Sequence, residues 1–319
     1  MLALVAISTF VGILGDPFQS MIAAGVCGGF FAAVCLNKLK AYTIIPMVAV
    51  PPLISYLLTA SPEKSVLSLS FVPVGLAVFL GIKKGLTRNQ TIVRSIVGLG
   101  IFYGAVYSLY VFILFGAVSG ENILKYIDLN LQSVRIYMEN IKSIYASTGV
   151  DVEQYFSKEL LDEVIESLRV SWLGYGLAIF GISSYLATII GKSAIPFEEE
   201  FEKKNGKWRF VLSKIGAVIF ILAYILSSLY SAEKEGLYFS LAINAFCLGM
   251  APAVLFMGVS NVIQRLRSER RIFFLILLLI SLSFGNFAIL LLLIMGVFHS
   301  LTYVDESQSK KQEDENLPK

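Results

Sequence analysis

Charge is scarce in this chain, and the charged residues avoid its long apolar stretches. Only 15% of the 319 residues are charged and 56% are hydrophobic, whereas soluble domains are about one quarter charged. Because an unpaired charge in hydrocarbon is costly, this distribution predicts a polytopic membrane protein and excludes a soluble enzyme, a secreted disulfide scaffold and a disordered chain. A single charged residue, Lys214, lies within the nine apolar stretches 2–14, 20–36, 41–59, 65–82, 95–117, 170–190, 210–230, 237–262 and 272–300.

Histidine and cysteine are also scarce, which limits the available chemistry. The sequence has one histidine, His299. A zinc motif with two histidines is therefore excluded, and so is any histidine-based catalytic triad that does not include His299. Cys27, Cys35 and Cys247 have no CxxC spacing and indicate neither a metal site nor a disulfide. We therefore expect no enzyme activity, no cofactor and no metal. The basic loops reflect topology, so no nucleic-acid partner is expected.

Aspartate, glutamate and arginine are absent from all nine apolar stretches. Ion-coupled transporters usually carry ionisable residues near the middle of the membrane. Their absence argues against a pump that is driven by ions on its own.

The predicted fold class is all-α, a transmembrane helical bundle of about nine spans, because the backbone must satisfy its own hydrogen bonds inside a bilayer. Loops 37–40, 83–94, 191–209 and 263–271 carry 15 lysines and arginines, and the short connections 15–19, 60–64 and 231–236 carry only two, Lys64 and Lys234. This bias places the N-terminus and the basic loops in the cytoplasm, and the chain in a cell membrane. For 272–300, one broken span is favoured over a hairpin, whose arms of roughly 13 residues would be too short.

The predicted domains are an N-terminal five-span region (1–117), a polar insert (118–169), a C-terminal four-span region (170–302) and a disordered tail (303–319). In the insert, apolar residues recur at helical spacing from Ile123 to Tyr145, and Asp151 is a plausible N-cap for a second helix. We expect an extracytoplasmic amphipathic helical hairpin that lies on, or caps, the outer mouth of the bundle.

Small residues at helical spacing predict close helix packing. They are Gly25 with Gly29, Gly100 with Gly104, and the set Gly174, Gly176 and Gly181.

Polar and aromatic residues are expected to converge at one level beneath the hairpin. Two interpretations remain open: an aromatic belt that anchors the bundle at the membrane interface, and a ligand pocket. An aromatic belt does not explain why Asn244, with its polar amide side chain, lies within a predicted span. The candidate ligand-binding residues are Tyr107, Tyr110, Trp172, Tyr175, Asn244, Asp16 and Gln19.

Four segments carry a resemblance to a known family: GIKKGLTR at 81–88, TGV at 148–150, GKWRF at 206–210 and LIMG at 293–296. With them, the chain resembles the YybS-like family of bacterial membrane proteins, whose function is unknown. That family is similar in fold to the substrate-binding S components of energy-coupling-factor vitamin transporters. The resemblance therefore implies a small-molecule ligand taken from the outer side and transporter partner subunits.

These observations predict a non-enzymatic membrane protein in contact with the lipid bilayer, an S-component-like binding or transport subunit. The alternative is a structural or assembly membrane protein without a ligand, and an integral-membrane enzyme ranks third. The substrate stays open.

Overall fold

A computed structural model describes residues 2–14, 17–37, 41–147, 157–193, 210–229, 236–266 and 286–302. The prediction of an all-α chain is confirmed for these residues, which form helices joined by turns and contain no strand. The helices are α1 (Leu2–Leu14), α2 (Pro17–Leu36), α3 (Ala41–Thr59), α4 (Pro62–Leu67), α5 (Phe71–Lys83), α6 (Arg88–Phe115), α7 (Gly120–Ser147), α8 (Lys158–Ser193), α9 (Lys214–Leu229), α10 (Leu237–Leu266) and α11 (Asn286–Thr302).

Each of the nine apolar stretches overlaps at least one helix. Five helical segments are long and apolar enough to cross a membrane: 19–36, 62–83, 88–115, 158–193 and 237–263. The helical segments at 2–14, 44–59, 214–229 and 288–302 are apolar but shorter. Residues 272–285 and the tail from 303 onward lie outside the described residues, and so do the predictions made for them.

The helices form two compact units. The first comprises residues 1–209 and 230–249, and the second comprises 210–229 and 250–319.

Helix α2 lies at the centre of the first unit, where glycines let its neighbours approach. A Cβ on Gly25 would lie 2.5 Å from the carbonyl oxygen of Ser183 on α8, and one on Gly29 would lie 2.6 Å from Ile190. On another face, a Cβ on Gly28 would lie 3.0 Å from Val74 of α5. The close packing predicted for Gly25 and Gly29 is therefore present, because a side chain at either position would collide with α8.

Two glycines at the same four-residue spacing on α6 have no helix packed closely against them among the described residues. No described atom outside the local helix lies within 4 Å of a Cβ built on Gly100 or Gly104. On α8, Gly174 packs closely against α10, whereas a Cβ on Gly176 would meet open space. Among the described residues, Gly100, Gly104 and Gly176 have no helix packed against them as was predicted, since spacing alone does not say which helix face has a neighbour.

Hydroxyl groups connect the start of α2 to three other helices. The hydroxyl oxygens of Ser20 and Tyr103 lie 2.5 Å apart, both on buried side chains. Ser70 of α5 donates to the Ser20 carbonyl at 3.2 Å, and Ser183 of α8 donates to the Met21 carbonyl at 2.5 Å. Buried polar groups need such partners where water is excluded. These bonds fix α5, α6 and α8 around the first turn of α2.

The predicted hairpin is built from α7 and the first part of α8. Arg169 forms a two-atom ion pair with Asp128, at 2.9 Å and 3.2 Å, and Arg135 pairs with Asp162. Asp128, the earlier residue on α7, pairs with the later residue on α8, and Arg135 pairs with the earlier one. The two helices therefore run antiparallel. Helix α8 then continues without interruption to Ser193. The second helix of the hairpin is therefore continuous with a candidate span.

The start of α8 has its own cap. Ser157 precedes the helix, and its hydroxyl accepts a hydrogen bond from the backbone N–H of Leu160 at 3.2 Å. Asp151, the predicted N-cap, lies outside the described residues. The predicted domain boundary at 169/170 falls inside α8.

The second unit contains α9, α11 and the part of α10 from Met250 onward. The α10 and α11 backbones touch where Gly258 faces Leu292 and Gly296 faces Val254. Asn261 of α10 also donates to the Met295 carbonyl at 3.4 Å. Glycine permits this approach because it has no Cβ.

Candidate ligand site

Three tyrosines of α6 share one face at the end of the helix that is nearer the hairpin. Tyr103 is fully buried, Tyr110 is 9% exposed, and Tyr107 packs against the same core. The Tyr103 ring stacks on Phe180 of α8 with centroids 5.5 Å apart, and the Tyr107 ring lies 6.1 Å from that of Tyr103. These tyrosines therefore face protein, which the belt interpretation did not predict for them.

Tyr126 of α7 completes this group, which we call the tyrosine cluster (Tyr103, Tyr107, Tyr110 and Tyr126). Its ring stacks on Tyr110 at 6.3 Å and lies 6.1 Å from Tyr107. Sequence reasoning missed Tyr126, because it lies beside the strongest apolar positions of α7. In the sequence, Tyr126 is next to Ile127, an apolar position of the helical pattern that proves to be buried. That neighbour is the signal that could have identified Tyr126.

One acidic side chain reaches the tyrosine cluster. The carboxylate of Glu63, in the first turn of α4, lies close enough to the Tyr110 hydroxyl to interact with it electrostatically. Burial raises the pKa of the Tyr126 hydroxyl above its ordinary value of 10, and the negative charge of Glu63 adds to the rise. Tyr126 therefore stays protonated at neutral pH, and the cluster keeps its hydroxyls as donors. Sequence reasoning also missed Glu63.

A second polar group lies where α8 crosses α10. The helices touch at Gly174, where a Cβ would lie 2.7 Å from the Asn244 carbonyl oxygen. The Asn244 side chain donates to the Val170 carbonyl at 3.5 Å. Among the described residues, the buried indole N–H of Trp172 and the buried hydroxyl of Ser240 have no hydrogen-bond partner. We call Ser240 and Asn244, which share a face of α10, together with Trp172, which lies on another face of α8 two residues before Gly174, the crossing group.

Helix α7 lies close to both groups. It carries Tyr126, and a Cβ on its first residue, Gly120, would lie 3.6 Å from the hydroxyl of Tyr238 in the first turn of α10. Helix α8 also carries members or partners of both groups, since Phe180 stacks on Tyr103 and Trp172 belongs to the crossing group. The end of α6, the starts of α7 and α10 and the middle of α8 therefore carry these aromatic and polar side chains.

The remaining predicted site residues lie elsewhere. Tyr175 is 41% exposed on α8, and Gln19 is exposed near the start of α2. Asp16 lies outside the described residues. The predicted set thus divides into residues that join a buried group (Tyr107, Tyr110, Trp172 and Asn244) and two that face outward.

These groups carry no metal-binding chemistry within the described part of the chain, where no group of three or more His, Cys, Asp or Glu side chains could hold an ion. The site offers rings, hydroxyls, an amide and one carboxylate. Such groups suit the binding of an uncharged or flat molecule through contact area and a few hydrogen bonds.

No protein-family model, no curated protein and no solved structure matches this chain.

Proposed function

We propose that this protein is an integral membrane protein that binds a small molecule beside the end of α6, the starts of α7 and α10 and the middle of α8, as an S-component-like subunit does. The observation that carries the proposal is two buried groups without a hydrogen-bond partner among the described residues, the Trp172 indole N–H on α8 and the Ser240 hydroxyl on α10. A buried polar group without a partner costs about 1–3 kcal/mol. A ligand that accepts from either group would recover part of that cost.

The ligand chemistry follows from the same side chains. The tyrosine cluster supplies stacked rings, and the crossing group supplies an N–H donor and a hydroxyl. We therefore propose a flat or ring-containing molecule with at least one hydrogen-bond acceptor, taken up from the side of the membrane that the hairpin faces. The resemblance to S components supports a role with transporter partner subunits in the bacterial cell membrane.

The site is tested by ligand retention. Native mass spectrometry of the mildly solubilised protein should detect a bound small molecule. We expect Trp172→Phe combined with Ser240→Ala to lower its occupancy at least tenfold, because each lost bond to a buried group is worth about 1–3 kcal/mol. Asn244→Leu should weaken retention while leaving the melting temperature nearly unchanged, since one such bond is worth ~0.6–2 kcal/mol within a bundle.

Tyr175→Phe is the matched control, because it removes a polar group from the exposed face of the same helix. It should leave retention unchanged. Equal retention in all variants would contradict the site, and the absence of any bound molecule from the unmodified protein would remove the support for a binding function.

A second prediction concerns the orientation of the bundle. Among the described residues, every acidic side chain is Glu63 or lies between Glu121 and Glu166, on or beside the hairpin. We propose that this end is extracytoplasmic. Cysteines placed at the exposed Ser143 and Ser193, with the three native cysteines replaced by alanine, should react with an impermeant thiol reagent from opposite sides. Reaction of both from one side would refute this orientation.

The second candidate is a structural or assembly protein whose aromatic residues only anchor it. Two observations favour it: the Asn244 side chain bonds to the neighbouring helix, and Tyr175 is exposed as an anchoring residue would be. Burial of Tyr103 and Tyr110 favours the binding site instead, because anchoring tyrosines face lipid. The retention experiment separates the two candidates.

A further inference from the structure

Three rings of the tyrosine cluster surround one point. The ring centroids of Tyr107, Tyr110 and Tyr126 lie 6.5, 6.1 and 6.3 Å apart, so they form a nearly equal-sided triangle. The Tyr110 and Tyr126 rings are almost parallel, at 16°, whereas the Tyr107 ring is tilted by 55° and 54° against them. A group seated over this triangle can therefore lie within about 6 Å of all three centroids, which is the range of a cation–π contact.

The triangle is not closed inside the core. Tyr110 is buried, but Tyr107 and Tyr126 are half-buried and Glu63 beside them is exposed. Ring surface and a carboxylate are therefore open to a small molecule at the same place.

The carboxylate of Glu63 has no counter-charge within the described part of the chain. It interacts electrostatically with two rings of the triangle, and no described lysine or arginine forms an ion pair with it. Its neighbour Lys64 donates to the Ile13 carbonyl at 3.2 Å, and Lys125 of α7 pairs with Glu121 at 2.6 Å. The two lysines that are next to the site in sequence are thus engaged elsewhere.

Rings and an uncompensated carboxylate attract the same kind of group. The negative face of an aromatic ring binds a cation, and sets of such faces recognise quaternary ammonium groups. Residues 118–169, which include the hairpin, contain nine acids and five bases, and an excess of negative charge raises the local concentration of cations. An organic cation is favoured over a metal ion, because calcium and magnesium require several oxygen ligands and the site offers one carboxylate.

We propose, resting on the proposed function, that the ligand carries a positively charged organic group, which lies over the rings of Tyr107, Tyr110 and Tyr126 beside the carboxylate of Glu63. The flat part of the ligand and its hydrogen-bond acceptor then extend toward the crossing group. The positive charge selects among flat molecules of similar shape.

The test compares choline with 3,3-dimethylbutan-1-ol, in which an uncharged tert-butyl group replaces the trimethylammonium group. Isothermal titration calorimetry measures the binding of each to the full-length protein in an uncharged detergent. Choline should bind about tenfold more tightly or better, because only a positive charge is attracted by the rings and the carboxylate. Equal affinities, or no binding of choline, would overturn the cation site.

Two variants each remove one source of the attraction. Glu63→Gln and Tyr126→Leu should each lower the affinity for choline about fivefold or more. Tyr126→Phe keeps the ring and should change the affinity by less than about twofold, so it separates the loss of the aromatic face from any effect on folding. An equal loss in Tyr126→Phe and Tyr126→Leu would contradict the role of the ring.

Glu139→Gln and Tyr137→Leu are the matched controls, because they make the same changes at exposed positions further along α7. Both should leave the affinity for choline within about twofold, since exposed charges at a distance are screened. Losses as large as those of Glu63→Gln and Tyr126→Leu would overturn the site.

The retention experiment on the unmodified protein distinguishes this inference from the proposed function. A retained molecule without a positive charge would overturn the cation site and leave the proposed function standing. Selective binding of choline without any retained molecule would support the cation site and leave the proposed function without its support.

Discussion

Replacing Gly25 by alanine is expected to destabilise the first unit strongly. The new Cβ would lie 2.5 Å from the Ser183 carbonyl oxygen and 2.7 Å from its Cα. These are backbone atoms, so they cannot move aside as a flexible side chain can. Overfilling a packed contact typically costs about 1–3 kcal/mol. Here α2 also carries the hydrogen bonds to α5, α6 and α8, so a shift of α2 would strain them.

The midpoint of thermal unfolding in detergent should therefore fall, and Gly25→Leu should lower it further. Gly104→Ala is the matched control, since it makes the same change at the same spacing, where no described atom outside the local helix lies within 4 Å. That substitution should leave the midpoint unchanged or raise it, because alanine favours a helix over glycine by about 0.5–1 kcal/mol. A fall of equal size in both variants would show that the effect is not packing.

Replacing Gly296 by alanine is expected to separate α11 from α10 in the second unit. The Cβ would collide with the Val254 carbonyl group and lie 3.0 Å from the Gly258 backbone nitrogen. Both are backbone atoms of α10 and cannot turn aside, so the helices must move apart and lose the bond from Asn261 to the Met295 carbonyl. Hydrogen exchange at the backbone amides of 286–302 should become faster, because the pairing that protects them is lost.

Phe298→Ala tests whether this change is specific. Phe298 lies two residues further along α11 and is 62% exposed, so it contributes little to the contact. Its replacement should leave the exchange rates close to those of the unmodified protein. Unchanged exchange in Gly296→Ala would mean that the α10–α11 contact does not stabilise α11.

Much of the fold was predictable from sequence, because it depends on local composition. Each apolar stretch overlaps a helix, since long runs without charge can satisfy their backbone only internally. The apolar spacing in the insert also predicted α7. The prediction of a second helix in the insert was only partly correct, because nothing in the sequence signals that the helix from Lys158 continues into the next span. The number of spans and their orientation remain predictions.

Part of the candidate site was predictable for the same reason. Tyr107 and Tyr110 share a helix face whatever surrounds it, because their spacing follows the helical repeat. Tyr126, Glu63 and Ser240 were not identified, since each takes its place through a partner distant in sequence. The different exposure of the neighbouring Trp172 and Tyr175 was missed too, because it depends on which other helices pack against α8.

The sequence by itself determined that this chain is helical, apolar and suited to a bilayer, since those properties follow from charge and hydrophobicity along short segments. Only the tertiary structure decided which helix faces meet. Gly25 and Gly29 have the same spacing as Gly100 and Gly104, but α8 packs against the first pair and no described neighbour reaches the second. Likewise Arg88 looks like any basic loop residue until α8 brings Thr188 and Tyr185 against it. Helix contacts depend on the simultaneous fit of several surfaces, and one segment of sequence contains only one of them.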